Sequence, residues 1–441
     1  YNRKDEKGKQ LFYVGGVQVC QNFYLRSRGI NRSTYYRWVE DLNSQGITAL
    51  LNETATQLKV RRSLKKQLFE AWVQRYAETF GDKMPDTVHG RQAKACQHDA
   101  VNIVLPYRDF KSVYEEYYQD FEVNGEANNR CTYGYAIEIF NSSSLQHIRL
   151  ARDKGNFSTC KTCESLRRQI LAAKSPLYRD QLKAIRVEHV GLQQCERKKY
   201  YKHRGKAIDM PDTYLSIIMD GMDQAKTAIP KASRNITLSS NLTQRIMGVK
   251  VHGRRTYTFL SDDSVKGGEN FVCSCLYYVL KDLETRNELP STNPTLYIQF
   301  DNCSENKNKT VFAFLSHLVQ LGLFRKVKSG FLMVGHTHED LDAYFSYISK
   351  HLSKASTVCP DQPSLHAALK ASFSEPKDRP EVINIEQHQV YDFTAIHESC
   401  IDPEIAHHSR PHQFRFKKDQ ATGDVVTNYK MWSHCKIWLP H

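Results

Sequence analysis

The chain has 441 residues, 40% of them hydrophobic and 25% charged, with a formal net charge of +14. That length and balance suit a globular protein of two to four domains with sizeable cores. No apolar run approaches the ~20 residues needed to span a bilayer, so no membrane partner is expected. Twelve cysteines in so long a chain are too sparse for a disulfide framework and indicate a reducing compartment. The excess of cations attracts polyanions, nucleic acid first among them, and with the cysteine usage it favours the nucleus.

In chain order, VQVCQNFYLRSRGINRSTYYRWVEDLN, from Val17, reads as two short helices around a turn. Gly29 can end the first in a left-handed conformation, and Asn31 or Ser33 can cap the second. Tyr35, Trp38, Val39 and Leu42 recur at helical spacing and are expected to be buried. Arg32, Ser33, Tyr36 and Arg37 then face outward near the helix start, where a helix-turn-helix recognition helix meets DNA. A plain helical hairpin has the same pattern; the basic run RRSLKK, with Arg61, Arg62, Lys65 and Lys66, favours the DNA reading. Further on, LPYRDFKSVYEEYYQDF, from Leu105, carries aromatic residues at helical intervals, a pattern of core rather than of base stacking. RCTYGYAIEIFNSS reads as another short helix.

TCKTCESLRRQI sets Cys160 and Cys163 at C-x-x-C spacing at a helix start. Two thiolates this close can share a tetrahedral Zn²⁺, and no βαβ context surrounds them to suggest a redox pair. His189 is the first candidate for a further ligand, with Cys195 and His203 as alternates.

From Tyr214 the pattern changes. YLSIIMD is a buried strand, and RIMGVKVHGRRTYTFLSDD reads as two strands with His252-Gly253 at the turn. A helix follows the glycines before Glu269, then the strand TLYIQFD, a helix, the short strand VKSGFLMVG, and a helix opening near Thr337. The order β-β-β-α-β-α-β-α is that of the ribonuclease H fold, whose first and fourth strands lie side by side. Asp220 and Asp301, each closing one of these strands, are then expected to converge. The final helix brings a third carboxylate to the same cleft. Crowded carboxylates repel unless cations neutralise them, and an all-oxygen site suits Mg²⁺ or Mn²⁺. Thr337 and Asp340 fit a capping box, which leaves Glu339 and Asp342, three apart on one face, equally eligible. Glu269, at a helix start, is read as a favourable charge there rather than a fourth ligand. His336 and His338 can contact phosphate or simply pack under the helix.

The phrases DGMDQ, DNCSENKN and GHTHEDLDAYFS, in this order, resemble a family of transposase-like proteins encoded by eukaryotic mobile elements. Through it they resemble the DDE/D transposase and retroviral-integrase superfamily. The N-terminal VCQNFYLRSRGIN and the C-x-x-C segment share the likeness. The resemblance implies divalent-metal-dependent cleavage and strand transfer on double-stranded DNA, both transposon ends and target. It implies Asp220, Asp301 and Asp342 as the matching acids with Glu339 in reserve, and a homodimer or higher homo-oligomer. The rival readings are a domesticated DNA-binding protein that no longer cuts and a ribonuclease H-fold nuclease. An exonuclease of the DEDD type would need an acid two residues after Asp220, where Met222 stands.

The expected organisation is a helix-turn-helix-like DNA-binding region at 1–60, a helical region with the zinc site at 61–205, and a ribonuclease H-like α/β core at 206–360. A small β-rich tail at 361–441 carries Arg415, Lys417 and Lys418 on a basic face.

Overall fold

The computed structural model describes residues 3–4, 10–14, 17–28, 30–45, 47–83, 103–105, 107, 109–123, 125–151, 160–231, 241–333, 335, 339–398 and 408–440. Gly29, His336, Thr337 and His338 lie outside the described residues. Among the described residues, no helix is long and apolar enough to cross a membrane.

The chain divides into two compact units, one of residues 1–73 with 117–145, the other of 74–116 with 146–441. The elements up to the last small strand are β1 (Arg3–Lys4), β2 (Gln10–Val14), β3 (Val17–Val19), α1 (Gln21–Ser27), α2 (Arg32–Gln45), α3 (Ile47–Phe80), β4 (Asp82–Lys83), β5 (Ile103–Leu105), α4 (Phe110–Val123), α5 (Tyr133–Phe140) and β6 (Ile148–Leu150).

In the first unit, β1, β2 and β3 form an antiparallel sheet. Phe12 of that sheet packs on Tyr24 and Tyr35, with ring centroids 5.2 and 5.9 Å apart, which half-buries Tyr35. Asn31 sits before α2 and accepts from the Ser33 backbone N–H at 3.2 Å, the turn chemistry that starts the helix. The aromatic stripe of α4 is core, as its spacing predicts: Tyr117 and Phe121 are buried, and Tyr117 meets Phe69 edge to face at 4.9 Å. Trp72 Nε1 donates to Asp120 at 3.0 Å, so the large ring is buried with its polar atom satisfied.

The second unit continues with α6 (Lys161–Ala172) and the long α7 (Pro176–Asp209). Ser175 caps α7 and Pro176 opens it, a residue whose missing N–H costs nothing at that position. Then come β7 (Tyr214–Gly221), β8 (Gln244–Val251), β9 (Thr256–Asp262), α8 (Glu269–Thr285), β10 (Thr295–Phe300), α9 (Lys309–Gln320), β11 (Lys326–Phe331) and α10 (Asp340–Leu352). The chain ends with α11 (Gln362–Ala371), β12 (Glu381–Asn384), α12 (Phe393–His397), β13 (Gln413–Lys418), β14 (Val425–Lys430) and β15 (Leu439–Pro440).

Among the described residues the central sheet has the strand order β12-β9-β8-β7-β10-β11-β13-β14-β15. The three strands β7, β8 and β9 are antiparallel, whereas β10 runs parallel to both β7 and β11. This is the mixed sheet of a ribonuclease H-like fold, with the strand-helix order expected from sequence. The C-terminal residues, expected as a small appendage, instead extend this same sheet. Strand β13 pairs antiparallel with β11 and covers what would otherwise be an open edge.

Side chains alternate between the two faces of each strand. Leu215, Ile217 and Met219 of β7, with Leu296, Ile298 and Phe300 of β10, enter one core, closed by Val272, Leu276, Val311 and Leu315 of α8 and α9. Ile218, Ile246 and Leu260 point the other way, into a second core closed by Leu341, Phe345 and Ile348 of α10, by Leu365 of α11 and by Tyr200 of α7.

Candidate active site

The register of β7 and β10 runs from Thr295 opposite Tyr214 to Phe300 opposite Met219. Asp220 is the next residue of β7, and Asp301 is the first residue past the end of β10. Met219 and Phe300 both enter the α8–α9 core, so by alternation the two aspartates both turn to the α10 side. They line one small cleft together with Ile218, Phe300, Leu332, Leu341, Glu339 and Asp342. Asp342 lies in the first turn of α10 and Glu339 is its N-cap.

One position sequence reasoning missed decides how closely α10 approaches. Directly across from Asp220 on β8 is Gly248. A Cβ there would lie 2.8 Å from Phe345 Cζ and 3.1 Å from Leu341 Cδ2, both on α10. The absent side chain lets the helix settle on the sheet beside Asp220. A glycine inside the strand pattern RIMGVKV was the available signal.

The acids are electrostatically coupled. Burial, then the charges of Asp301 and Asp342, push the Asp220 carboxyl up to about 8. One Asp220 oxygen accepts from the Gly221 N–H at 2.8 Å. Asp301 accepts from Asn306 Nδ2, and from the Cys303 N–H at 3.4 Å. The rest of the phrase DNCSENKN is a hydrogen-bonded staple behind Asp301. Buried Lys307 donates to Asn302 Oδ1 and to the Ser409 carbonyl, each at 2.8 Å, and Asn308 caps α9 through the Val311 N–H at 2.9 Å. Burial brings the Lys307 ammonium down to about 8. Asp223 accepts from the Ala225 N–H at 3.1 Å and organises the turn after β7.

The two eligible acids of α10 differ in their partners. Glu339 is 2% exposed and forms an ion pair with Arg197 of α7 at 2.9 Å. Tyr201 Oη donates to it at 3.1 Å. Burial outweighs these contacts, and the Glu339 carboxyl stands near 7. The Glu339 backbone N–H donates to Asp342 Oδ2 at 3.0 Å. The capping box of this helix is therefore formed by Glu339 with Asp342, and Asp340 does not serve as its acid. Asp340 is instead buried one step further in. It accepts from Tyr200 Oη at 2.7 Å, lies 3.1 Å from His252 Nε2, and pairs with Arg204 at 3.3 Å. Burial alone would raise its carboxyl; the hydrogen bond and charge of His252, with Arg204 and Lys250, outweigh it and hold Asp340 well below the carboxylate range. His252 itself is held below its ordinary value, first by burial. Nε2 can donate to Asp340, and Nδ1 lies 3.0 Å from Ser216 Oγ and 3.1 Å from the Ser216 carbonyl, so both ring nitrogens have partners. Four residues of α7, Arg197, Tyr200, Tyr201 and Arg204, thus grip the start of α10. Glu269 opens α8 and is not among the residues lining the cleft.

Farther back along α7, Cys160, Cys163 and His189 bring one ligand atom each within 4.8 Å of one another. Cys160 Sγ is 3.2 Å from His189 Nε2. Cys160 is the N-cap of α6 and Cys163 lies in its first turn, so the cluster bridges α6 and α7. Cys195 and His203 are not part of it. His203 instead stacks on Tyr297 at 3.8 Å.

In the first unit, Arg32, Ser33, Tyr36 and Arg37 are all exposed on α2. Arg62 and Lys66 are exposed on α3, with Lys66 3.9 Å from Glu70, whereas Lys65 donates to the Arg130 carbonyl at 2.8 Å. The Arg61 side chain lies outside the described residues.

A family model described as a domain of unknown function (DUF7869) matches residues 234–435. The match takes in Asp301, Glu339 and Asp342; Asp220 and the Cys/His cluster precede it. Among solved structures, the crystal structure of the mariner Mos1 paired end complex with Mg aligns with 67% of this chain and 97% of that chain, at 10% identity and a TM-score of 0.28. No curated protein matches the chain.

Proposed function

We propose that this protein is a DNA transposase-like enzyme of the DDE/D kind, which cleaves and joins phosphodiesters at the ends of a mobile element using divalent cations. The observation that carries the reading is that Asp220, at the end of β7, and Asp301, just past the end of the adjacent parallel β10, line one cleft with Asp342 of α10. The motif resemblance points the same way. Mg²⁺ or Mn²⁺ held by Asp220, Asp301 and Asp342 would neutralise the crowded carboxylates, activate water or a 3′-hydroxyl, and stabilise the leaving oxygen.

The chain's own residues supply the geometry. Asn306 orients Asp301, and the Glu339 backbone N–H orients Asp342. Glu339 is committed to Arg197 and Tyr201, so Asp342 is proposed as the third ligand. Cys160, Cys163 and His189 are proposed to bind a structural Zn²⁺ that ties α6 to α7, a donor set of the thiolate–imidazole kind zinc prefers. Arg32, Ser33, Tyr36, Arg37, Arg61, Arg62, Lys65 and Lys66 are proposed to contact the transposon ends, in a nuclear protein working as a homodimer or larger homo-oligomer.

The test is Mg²⁺- or Mn²⁺-dependent cleavage of a duplex carrying the element's own ends. Wild type is compared with Asp220→Ala, Asp301→Ala, Asp342→Ala and Glu339→Ala. The first three are expected to lose at least a hundredfold in rate. Glu339→Ala losing activity while Asp342→Ala keeps it would reverse the third assignment. A wild type that binds the ends without cutting them would establish a domesticated DNA-binding protein instead.

A further inference from the structure

We propose that the sheet extension and α7 together form a second nucleic-acid surface, a cationic platform that binds the phosphate backbone of duplex DNA beside the acid cleft. The choice of DNA rests on the proposed function; the platform itself rests on separate residues.

In-register pairing sets Tyr297, Lys328, Arg415 and Asn428 in one row across β10, β11, β13 and β14. Lys326 and Lys417 pair in the next row on the same face. Their neighbours Val327, Phe414 and Phe416 point into the opposite core. Three strand-to-strand steps of about 4.8 Å make this row roughly 14 Å wide. Lys199, Lys202 and Lys206, spaced three and four apart on one face of α7, adjoin it, and His203 of the same helix stacks on Tyr297. Lys430 completes the group beyond Arg415; the Trp438 ring lies 4.9 Å from Lys430 and 4.6 Å from the Arg415 guanidinium.

Among the described residues none of these cations is in an ion pair. Of the nearby acids, Glu196 is buried and accepts from Gln413 and the Ser433 N–H. Asp419 is occupied by the backbone N–H groups of Ala421 and Thr422. Burial, then the repulsion of Lys199, Lys326, Arg415 and Lys206, brings the Lys328 ammonium down to about 8. Lys199 is lowered by burial and then by Lys202, Lys430 and Lys206. Like charges held together on a rigid sheet are costly unless a polyanion neutralises them. The neighbouring rings are already covered by His203, lysines or Arg415, so they offer no free stacking surface to unpaired bases. That favours a duplex backbone over a single strand.

The test is fluorescence anisotropy with a labelled DNA duplex in buffer without added Mg²⁺ or Mn²⁺, across a salt series, using the full chain. The triple variant Lys326→Gln/Lys328→Gln/Arg415→Gln should bind roughly a hundredfold more weakly near 0.15 M salt, with a salt dependence shallower by about 0.9 for each phosphate no longer neutralised. If that variant does not fold, Lys202→Gln/Lys417→Gln, with Lys202 exposed, is expected to weaken binding about tenfold or more. Wild-type affinity and slope in a folded variant overturn the platform, as does tighter binding of single-stranded DNA or of phosphatidylserine vesicles than of duplex. Because binding is read without the catalytic metal, a wild type that binds through the platform here yet never cleaves when Mg²⁺ or Mn²⁺ is supplied would sink the catalytic reading alone.

Discussion

The most exposed consequence of the acid cluster concerns Asp220. Its carboxyl stands at about 8 against an ordinary value of 3.8, first because it is buried and then because Asp301 and Asp342 face it. A folded state that holds the proton more tightly than the unfolded chain loses stability as pH rises between those two values. The loss begins near pH 4, is complete near pH 8, and is constant above. At about 1.4 kcal/mol per tenfold change in the proton equilibrium, the ceiling is roughly 6 kcal/mol, and water entering the open side of the cleft reduces it to about 2–3 kcal/mol. Asp220→Asn removes the charge and keeps the shape. Thermal unfolding without added Mg²⁺ or Mn²⁺ should therefore show the variant more stable than wild type at pH 8.5, with the advantage shrinking toward pH 5. Added Mn²⁺ should raise the wild-type melting temperature and leave the variant nearly unmoved. A variant less stable than wild type at pH 8.5, or one equally stabilised by Mn²⁺, would refute the reasoning.

Gly248→Val should push α10 off the sheet, cost about 1–3 kcal/mol by overpacking, and lower cleavage more than it lowers DNA binding, as read by denaturant melts and kinetics. Arg197→Met leaves Glu339 buried without its cation; because that carboxyl already stands near 7, it takes up a proton at neutral pH and the destabilisation should grow as pH rises above about 8, most of it recovered in Arg197→Met/Glu339→Gln; a double variant no better than the single at high pH would show that the ion pair is not the source. Asn306→Ala frees Asp301 from its brace and should reduce the cleavage rate about tenfold or more with little change in melting temperature. Elemental analysis should find one zinc per chain in wild type and none in Cys160→Ser/Cys163→Ser, and a chelator should lower the melting temperature of the wild type alone.

Periodicity made much of the core legible. The buried run of β7, the alternating β8 and β9 and the amphipathic α8, α9 and α10 each announce their geometry through local spacing. The aspartates at the ends of β7 and β10 were visible as strand terminators, and the C-x-x-C pair as a ligand motif. The helix cap is not legible in the sequence because Thr337 and Asp340 satisfy the same spacing rule as Glu339 and Asp342. Only the surroundings of Asp340, namely Tyr200, Arg204 and His252 from distant parts of the chain, separate the two. The C-terminal strands read as an appendage because a strand's own pattern does not name the edge it will join.

The amino-acid order by itself determined which segments become strands and helices, since the two- and nearly four-residue repeats of apolar side chains are set within each segment. It also determined which residue types stand at the strand ends and the helix starts. Only the tertiary structure decided which carboxylates share a cleft, which acid is neutralised by an arginine, and how the lysines of α7 and β11 crowd together. Those outcomes depend on through-space charge and on packing between residues up to well over a hundred positions apart, as in the bond from Tyr200 to Asp340, and local spacing carries no record of either.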